Sequence, residues 1–211
     1  ILETVELPDT VQTIGFGAFS DCTKLAHINI PLQWAECPPS DRTETEEGTY
    51  SSEYCGQIFA NCAALKTIVV PDGMTQLPAY AFSRCNYLEN VTLPKSINTI
   101  LHHTFYSCSA LKSVTVPEKV TYIGKSAFCY CSSLTNVSLP DGVDELALFA
   151  FTGCSSLESI RLPDSITTIG YQAFYDCTKL KEINVPLQWK TCPPSDQSSS
   201  SEGTDDAKHC G

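Results

Sequence analysis

The chain has 211 residues, of which 42% are hydrophobic, and a formal net charge of −11 at pH 7. This acidity argues against nucleic acid or an anionic membrane as the main partner. No run of about 18 apolar residues predicts direct membrane insertion, and no N-terminal targeting segment is recognisable.

One phrase recurs along the chain, first as AFSDCTKL at 18–25 and last as AFYDCTKL at 173–180. Its cysteines are Cys22, Cys62, Cys85, Cys108, Cys131, Cys154 and Cys177. They are spaced by 23 residues, except for a first step of 40. A fixed period of this length is typical of a solenoid, in which one structural unit is repeated and stacked.

Each repeat contains three predicted segments. A phrase such as LKSVTVP at 111–117 alternates apolar and polar residues, which predicts a short strand ended by proline. Val120 and Ile123 then indicate a second extended segment. The AFxxCxxL phrase places Phe, Cys and Leu at i, i+3 and i+6, which predicts a short helical turn.

One 23-residue unit, called a rung below, cannot bury its apolar side chains alone, so rungs must stack. The consensus LPxxVxxIgxxAFxxCxxLxxIxL resembles the BspA-like family of leucine-rich-repeat surface proteins. The resemblance covers essentially the whole chain and implies a right-handed α/β leucine-rich-repeat solenoid. We expect one solenoid of about eight rungs over residues 1–211, cut from a longer protein. Short parallel strands would line its concave face, with the second extended segments and the helical turns on the other sides.

Two rungs carry insertions. Aligned on the strand-ending proline, Trp34 and Cys37 occupy the positions of Val11 and Ile14 in the first rung. Trp34, and Trp189 in the second such rung, should therefore fill core positions. The inserted loops are residues 38–54 and 193–209, which are polar and acidic.

A cysteine stands on each side of both insertions. Because the flanking positions are neighbours in an uninterrupted rung, we predict disulfides Cys37–Cys55 and Cys192–Cys210. The alternative is that these cysteines are free thiols in aliphatic positions. Metal ligation is disfavoured, since His209 is the only nearby imidazole.

The seven repeat cysteines, called the Cys ladder, are expected to be reduced, buried spacers, because Cys packs as a small apolar residue. Cys129 lies outside this ladder and is expected to be an isolated, partly exposed thiol, with redox activity of the CYC sequence as the alternative. His102 and His103 are expected to be exposed polar residues, because adjacent histidines on a helical turn diverge and do not share a metal.

The candidate binding face consists of residues two and four places after each repeat leucine. These are mostly small hydroxyl and amide side chains, which suit extended recognition or a merely solvated surface. The absence of Trp and Tyr there weakens a sugar-stacking hypothesis. The predicted face contains His27, Asn29, Thr67, Asn90, Thr92, Ser113, Thr115, Asn136, Ser138, Ser159 and Arg161.

No nucleophile motif, phosphate-binding loop or distinctive carboxylate pair points to catalysis. We therefore predict no enzyme activity, no cofactor and no metal site. The leading hypothesis is an extracellular or cell-surface, adhesin-like module that binds a protein or glycoprotein; disulfides would fit such an oxidising location. A structural spacer and a carbohydrate-binding module are the alternatives, and the oligomeric state stays open.

Overall fold

The computed structural model describes residues 1–34, 58–184 and 186, which form twelve short β-strands and no helix. Eight strands begin successive rungs: β1 (Thr4–Val5), β2 (His27–Ile28), β3 (Thr67–Val69), β4 (Asn90–Thr92), β6 (Ser113–Thr115), β8 (Asn136–Ser138), β10 (Ser159–Ile160) and β12 (Glu182–Ile183). The other four are second extended segments: β5 (Thr99–Ile100), β7 (Tyr122–Ile123), β9 (Glu145–Leu146) and β11 (Thr168–Ile169). The described part of the chain thus contains no helix that is suited to crossing a membrane.

All strand pairs are parallel and join corresponding positions of successive rungs. Thr67 of β3 pairs with Asn90 of β4, and Ser113 of β6 pairs with Asn136 of β8. The second segments form one four-stranded sheet in the order β11-β9-β7-β5. The 23-residue period therefore sets the register, and the prediction of a solenoid with short parallel strands is confirmed.

A continuous column of phenylalanine rings, called the Phe stack, lies in the core. It contains Phe19, Phe59, Phe82, Phe105, Phe128, Phe151 and Phe174, whose neighbouring centroids are 5.2–5.9 Å apart and whose planes are nearly parallel. Each aromatic pair adds about 0.5–1.5 kcal/mol beyond the area it buries. Stacking like on like thus makes every rung depend on its two neighbours.

The predicted helical turns are wrong. Ser83 and Cys85 donate their N–H groups within the rung, to the carbonyls of Tyr80 and Phe82. The intervening Phe82 and Arg84 instead donate to carbonyls of the next rung. Tyr80 and Arg84 also have left-handed backbones, with φ of 60° and 61°. Since an α-helix needs consecutive i to i−4 bonds and right-handed φ values, these segments form linked turns.

Trp34 confirms the alignment of the inserted rung. Its side chain is only 3% exposed and packs edge-on against Phe82, with ring centroids 6.0 Å apart. The indole therefore occupies a core position that an aliphatic side chain fills in other rungs, such as Val120, which is fully buried. Trp189 lies outside the described residues, so its burial stays a prediction.

The Phe stack predicts a large cost for removing one interior ring. Phe128→Ala should lower the free energy of unfolding by about 3–5 kcal/mol, because it leaves a cavity between two stacked rings. Phe16→Ala, at a half-exposed ring outside the stack, is the matched control and should change it by about 0.5 kcal/mol or less. Urea titration followed by circular dichroism measures both; equal effects would contradict the role of the stack.

Candidate functional site

The residues of the predicted binding face lie along one surface, called the strand face. Ten of the eleven are exposed: His27, Thr67, Asn90, Thr92, Ser113, Thr115, Asn136, Ser138, Ser159 and Arg161. Between them, residues such as Val114 and Ile160 point into the core and are at most 4% exposed. The alternating strand geometry therefore presents polar groups in register from rung to rung, without using them for packing.

Asn29, the eleventh residue, is half-buried and has a structural contact. Its amide accepts a hydrogen bond from the N–H of Leu7 and donates one to the Leu7 carbonyl, both at 2.7 Å. Asn184 makes the same pair of bonds to the backbone of Leu162. Each asparagine stands two residues before the proline of an inserted rung and ties it to the rung before. Asn29 is thus engaged with the backbone rather than free for a ligand.

One part of the strand face is less polar than the rest. Val69, paired with Thr92 in the sheet, is 61% exposed. Nearby in sequence, the Lys66 ammonium lies 5.2 Å from the centroid of the Tyr87 ring. Tyrosine is among the residue types that anchor protein partners, and the Lys66 ammonium is attracted to the face of its ring.

Glu89 bridges two rungs at the start of the strand face. Its carboxylate lies 2.6 Å from the Lys112 ammonium and 3.6 Å from that of Lys66. The hydrogen bond and the charge of Lys112 lower the pKa of Glu89, with a smaller contribution from Lys66. Because the carboxylate is solvated, this pair orders charges in register and adds little stability.

The Cys ladder makes contacts that the sequence did not predict. The thiols of Cys108, Cys131 and Cys154 donate hydrogen bonds of 3.1–3.2 Å to Phe82, Phe105 and Phe128 carbonyls. Each thiol thus reaches a backbone oxygen of the preceding rung. Burial raises the pKa of all three thiols well above the ordinary value, so they stay protonated and unreactive. They hold rungs together and are not nucleophiles.

The expectation of a partly exposed Cys129 is wrong. Its side chain is only 4% exposed, and burial raises its pKa to about 11. The position follows the stacked Phe128, where the linked turn directs the side chain inward. This thiol is free, as are the seven ladder thiols, and its protonated state disfavours redox activity of the CYC sequence.

The expectation that His102 and His103 are exposed polar residues is wrong. Both are partly buried and belong to an aromatic cluster with Tyr80 and Tyr106. The rings of His103 and Tyr80 are stacked with centroids 4.5 Å apart. His103 also lies 5.5 Å from Tyr106, and His102 is edge-on to Tyr80 at 5.4 Å. The left-handed backbone of His103, with φ of 55°, replaces the helical turn in which the two rings would diverge outward.

His103 is held in its neutral form. Its Nδ1 atom is buried and has no hydrogen-bond partner in the described part of the chain. Burial, together with the smaller effects of the His102 and Lys125 charges, lowers the pKa of His103 to about 4. The sequence signal for this cluster was the change from small residues, such as Gly17 and Ser126, to aromatic ones at the position two before the stacked Phe.

The cysteines that flank the inserted loops, Cys37, Cys55, Cys192 and Cys210, lie outside the described residues. The disulfides Cys37–Cys55 and Cys192–Cys210 therefore stay predictions. Among residues 1–34, 58–184 and 186, no group of three or more His, Cys, Asp or Glu side chains is arranged to hold a metal ion.

The neutral His103 makes stability depend on pH. The unfolded chain binds a proton at His103 below the ordinary pKa of 6.5, whereas the folded chain resists protonation to about 4. This contribution to stability is therefore present above pH 6.5 and lost as pH falls toward 4. Between pH 6.5 and pH 4, the free energy of unfolding of the native chain should fall by on the order of 1–3 kcal/mol more than that of the His103→Phe variant.

Urea titrations at several pH values measure this difference. Phenylalanine is a suitable replacement, because Phe149 occupies the corresponding position two rungs on with φ of 59°. His27→Gln, which removes an exposed imidazole from the strand face, is the control and should keep the native pH profile. Identical profiles for the native chain and His103→Phe would show that His103 is not held neutral.

Solved structures with similar folds come from bacterial repeat proteins. A leucine rich cell surface protein from Faecalibacterium prausnitzii is 27% identical over 87% of this chain, with a TM-score of 0.54. A leucine-rich repeat protein from T. pallidum is 25% identical over 70% of this chain and 81% of its own, with a TM-score of 0.58. One from Eubacterium ventriosum, 22% identical over 87% of this chain and 45% of its own, has a TM-score of 0.67 and shows the fold alone.

The chain spans 38% of the length of the Faecalibacterium protein. A search of curated proteins found no match. The family described as BspA type Leucine rich repeat region matches six copies, which cover residues 1–38 and 52–181. The solenoid fold, the 23-residue register and this match agree: the chain belongs to the BspA-type leucine-rich-repeat family.

Proposed function

We propose that this chain is a non-catalytic recognition segment of a bacterial cell-surface protein, and that its strand face binds a protein or glycoprotein on a host or neighbouring cell. The observation that carries this proposal is the register of exposed polar side chains on the strand face. Their hydroxyl and amide groups are repeated along the stack and are not needed to hold it together.

A rigid array of this kind suits extended recognition for an energetic reason. The backbone ladder fixes Thr92, Thr115 and Ser138 before any partner arrives, and these short side chains have few rotamers to lose. Binding therefore costs little conformational entropy at the surface. The net charge of −11 further favours partners without strong negative charge.

The cell-surface location rests on similarity. The Faecalibacterium protein is described as a leucine rich cell surface protein, and this chain belongs to the same type of repeat family. The predicted disulfides of the inserted loops would fit an oxidising extracellular environment. A spacer role remains the competing hypothesis, since a stack of similar rungs also holds other domains at a distance.

The recognition and spacer hypotheses make different predictions for a variant whose strand face is blocked: only recognition predicts a loss of partner binding. The double variant Thr115→Arg/Ser138→Arg places two long cations on paired, exposed positions in the middle of the face. Partner affinity should fall by about tenfold or more, because the cations obstruct contact and leave polar partner groups unpaired. Thr121→Arg, an exposed substitution of the same kind outside this face, is the control and should bind normally.

The measurement is binding of the chain to an array of extracellular-matrix proteins, mucin-type glycoproteins and bacterial surface proteins, followed by titration of each positive partner. Circular dichroism checks that all variants fold. Absence of binding to every array member, or full binding by the double variant, would contradict strand-face recognition and favour the spacer.

A further inference from the structure

We propose that a cationic patch beside the strand face, formed by Lys66, Tyr87, Glu89 and Lys112, docks a short acidic segment of the partner protein. This inference rests on the proposed function, because it names the chemistry of the partner that the strand face binds. The strand face can bind a partner of other chemistry, so the inference can fail while the proposed function holds.

The four residues of the cationic patch form one connected surface. The Lys66 ammonium lies 5.2 Å from the centroid of the Tyr87 ring and 3.6 Å from one oxygen of the Glu89 carboxylate. The other oxygen of Glu89 lies 2.6 Å from the Lys112 ammonium. The side chains of Lys66 and Lys112 are nevertheless 48% and 64% exposed. The patch therefore spans three rungs and is open to a partner.

Positive charge is in excess within the cationic patch. Two ammonium groups share the single carboxylate of Glu89, so one positive charge is not neutralised there. A second ion pair at the same position of the repeat, Lys181 with Glu158, has one ammonium for one carboxylate, 3.9 Å apart. The strand-face residues next to the patch, such as Asn90 and Ser113, are neutral. The patch therefore attracts a carboxylate, whereas the Lys181–Glu158 pair is balanced.

Acidic side chains on the same side of the molecule lie toward its two ends. Glu3 and Glu6 are exposed beside β1, and Glu158 and Glu182 are exposed at β10 and β12. Together with the net charge of −11, they repel a partner that is acidic throughout. The local excess of positive charge still favours a single acidic segment. The expected occupant is therefore a short acidic segment in a partner without strong overall negative charge.

The ion pairs of the cationic patch can be exchanged for contacts with a partner. Lys112 lowers the pKa of Glu89, which keeps this carboxylate charged, but the pair is solvated and adds little stability. The Tyr87 ring keeps the Lys66 ammonium nearby, so this side chain loses less conformational freedom on binding. Glu89 therefore competes with the partner's carboxylates for both ammonium groups.

The separation of the two lysines sets the spacing of the carboxylates that they bind. Lys66 and Lys112 are two 23-residue periods apart. Neighbouring strands of a sheet are about 4.8 Å apart, so two rungs measure about 9.6 Å. A polyproline II segment repeats every three residues, over about 9.3 Å. Glutamates at every third position of such a segment would face both lysines.

The test measures binding of labelled peptides by fluorescence anisotropy. The probe is a peptide with the repeat Glu-Pro-Leu, and the matched peptides have the repeats Gln-Pro-Leu and Lys-Pro-Leu. The native chain should bind the glutamate peptide at least about fivefold more tightly than either matched peptide. Salt at about 0.5 M should remove this difference, because the ammonium groups are exposed and their charges are screened.

Three variants identify the groups responsible. Lys66→Gln/Lys112→Gln should weaken binding of the glutamate peptide by about fivefold or more, because both ammonium groups are lost. Glu89→Gln should strengthen binding by about twofold or more, because the competing carboxylate is removed. A purely structural ion pair does not predict that gain. Lys181→Gln, at an exposed lysine of the same repeat position, is the control and should bind like the native chain.

Equal binding of the glutamate and glutamine peptides, full binding by the double lysine variant, or weaker binding by Glu89→Gln would each overturn the inference. The same variants are then titrated with a partner found on the array. Loss of that partner by Thr115→Arg/Ser138→Arg, but not by Lys66→Gln/Lys112→Gln, would overturn the acidic-segment inference and leave the proposed function intact.

Discussion

Everything in this structure depends on contacts between successive rungs of the stack. A rung has too few internal contacts to fold, so its strand, its phenylalanine and its turn carbonyls are all completed by the rungs on either side. The buried thiol is the clearest case. Cys131 fills the space beside the Phe stack and donates its hydrogen to the Phe105 carbonyl at 3.2 Å, so one side chain serves both packing and hydrogen bonding.

This dependence explains which features the sequence predicted well. The period fixes the register, so the parallel strands and the burial of Trp34 both followed from aligning the rungs. The helical turns did not follow, because Phe, Cys and Leu at i, i+3 and i+6 suit linked turns as well as a helix. A helix and linked turns differ in whether the N–H groups of Phe82 and Arg84 donate to carbonyls of their own rung or of the next rung. The local sequence pattern does not show which of these carbonyls accepts.

Some features of the candidate site could also be predicted from the sequence, and others could not. Exposure of the strand face was predictable from alternation alone, but the engagement of Asn29 was not, since its amide bonds the backbone of a residue 22 positions earlier. The aromatic cluster could not be predicted from the local sequence, because an isolated turn would leave His102 and His103 exposed. Their neighbours, Tyr80 and Lys125, belong to the adjacent rungs, and stacking replaces the solvent expected around them.

Core-facing and exposed positions of the repeat have different roles. Positions that face the core are occupied by apolar residues, mainly Leu, Phe, Ile, Val and Cys, whereas exposed positions differ from rung to rung. The strand face uses that freedom for small polar groups. The same repeat fold is therefore compatible with different binding sites, because a site is set by the exposed side chains and not by the fold.

The central claim is that the inner columns hold the rungs together, and reactivity of the ladder thiols tests it most directly. The folded chain is treated with iodoacetamide at about pH 8, with glutathione as an exposed-thiol reference, and each cysteine is followed by peptide mass spectrometry. Cys108, Cys131 and Cys154 should stay unmodified until urea unfolds the chain, and should then react together. Modification of these three in the folded chain at a rate near that of glutathione would contradict it.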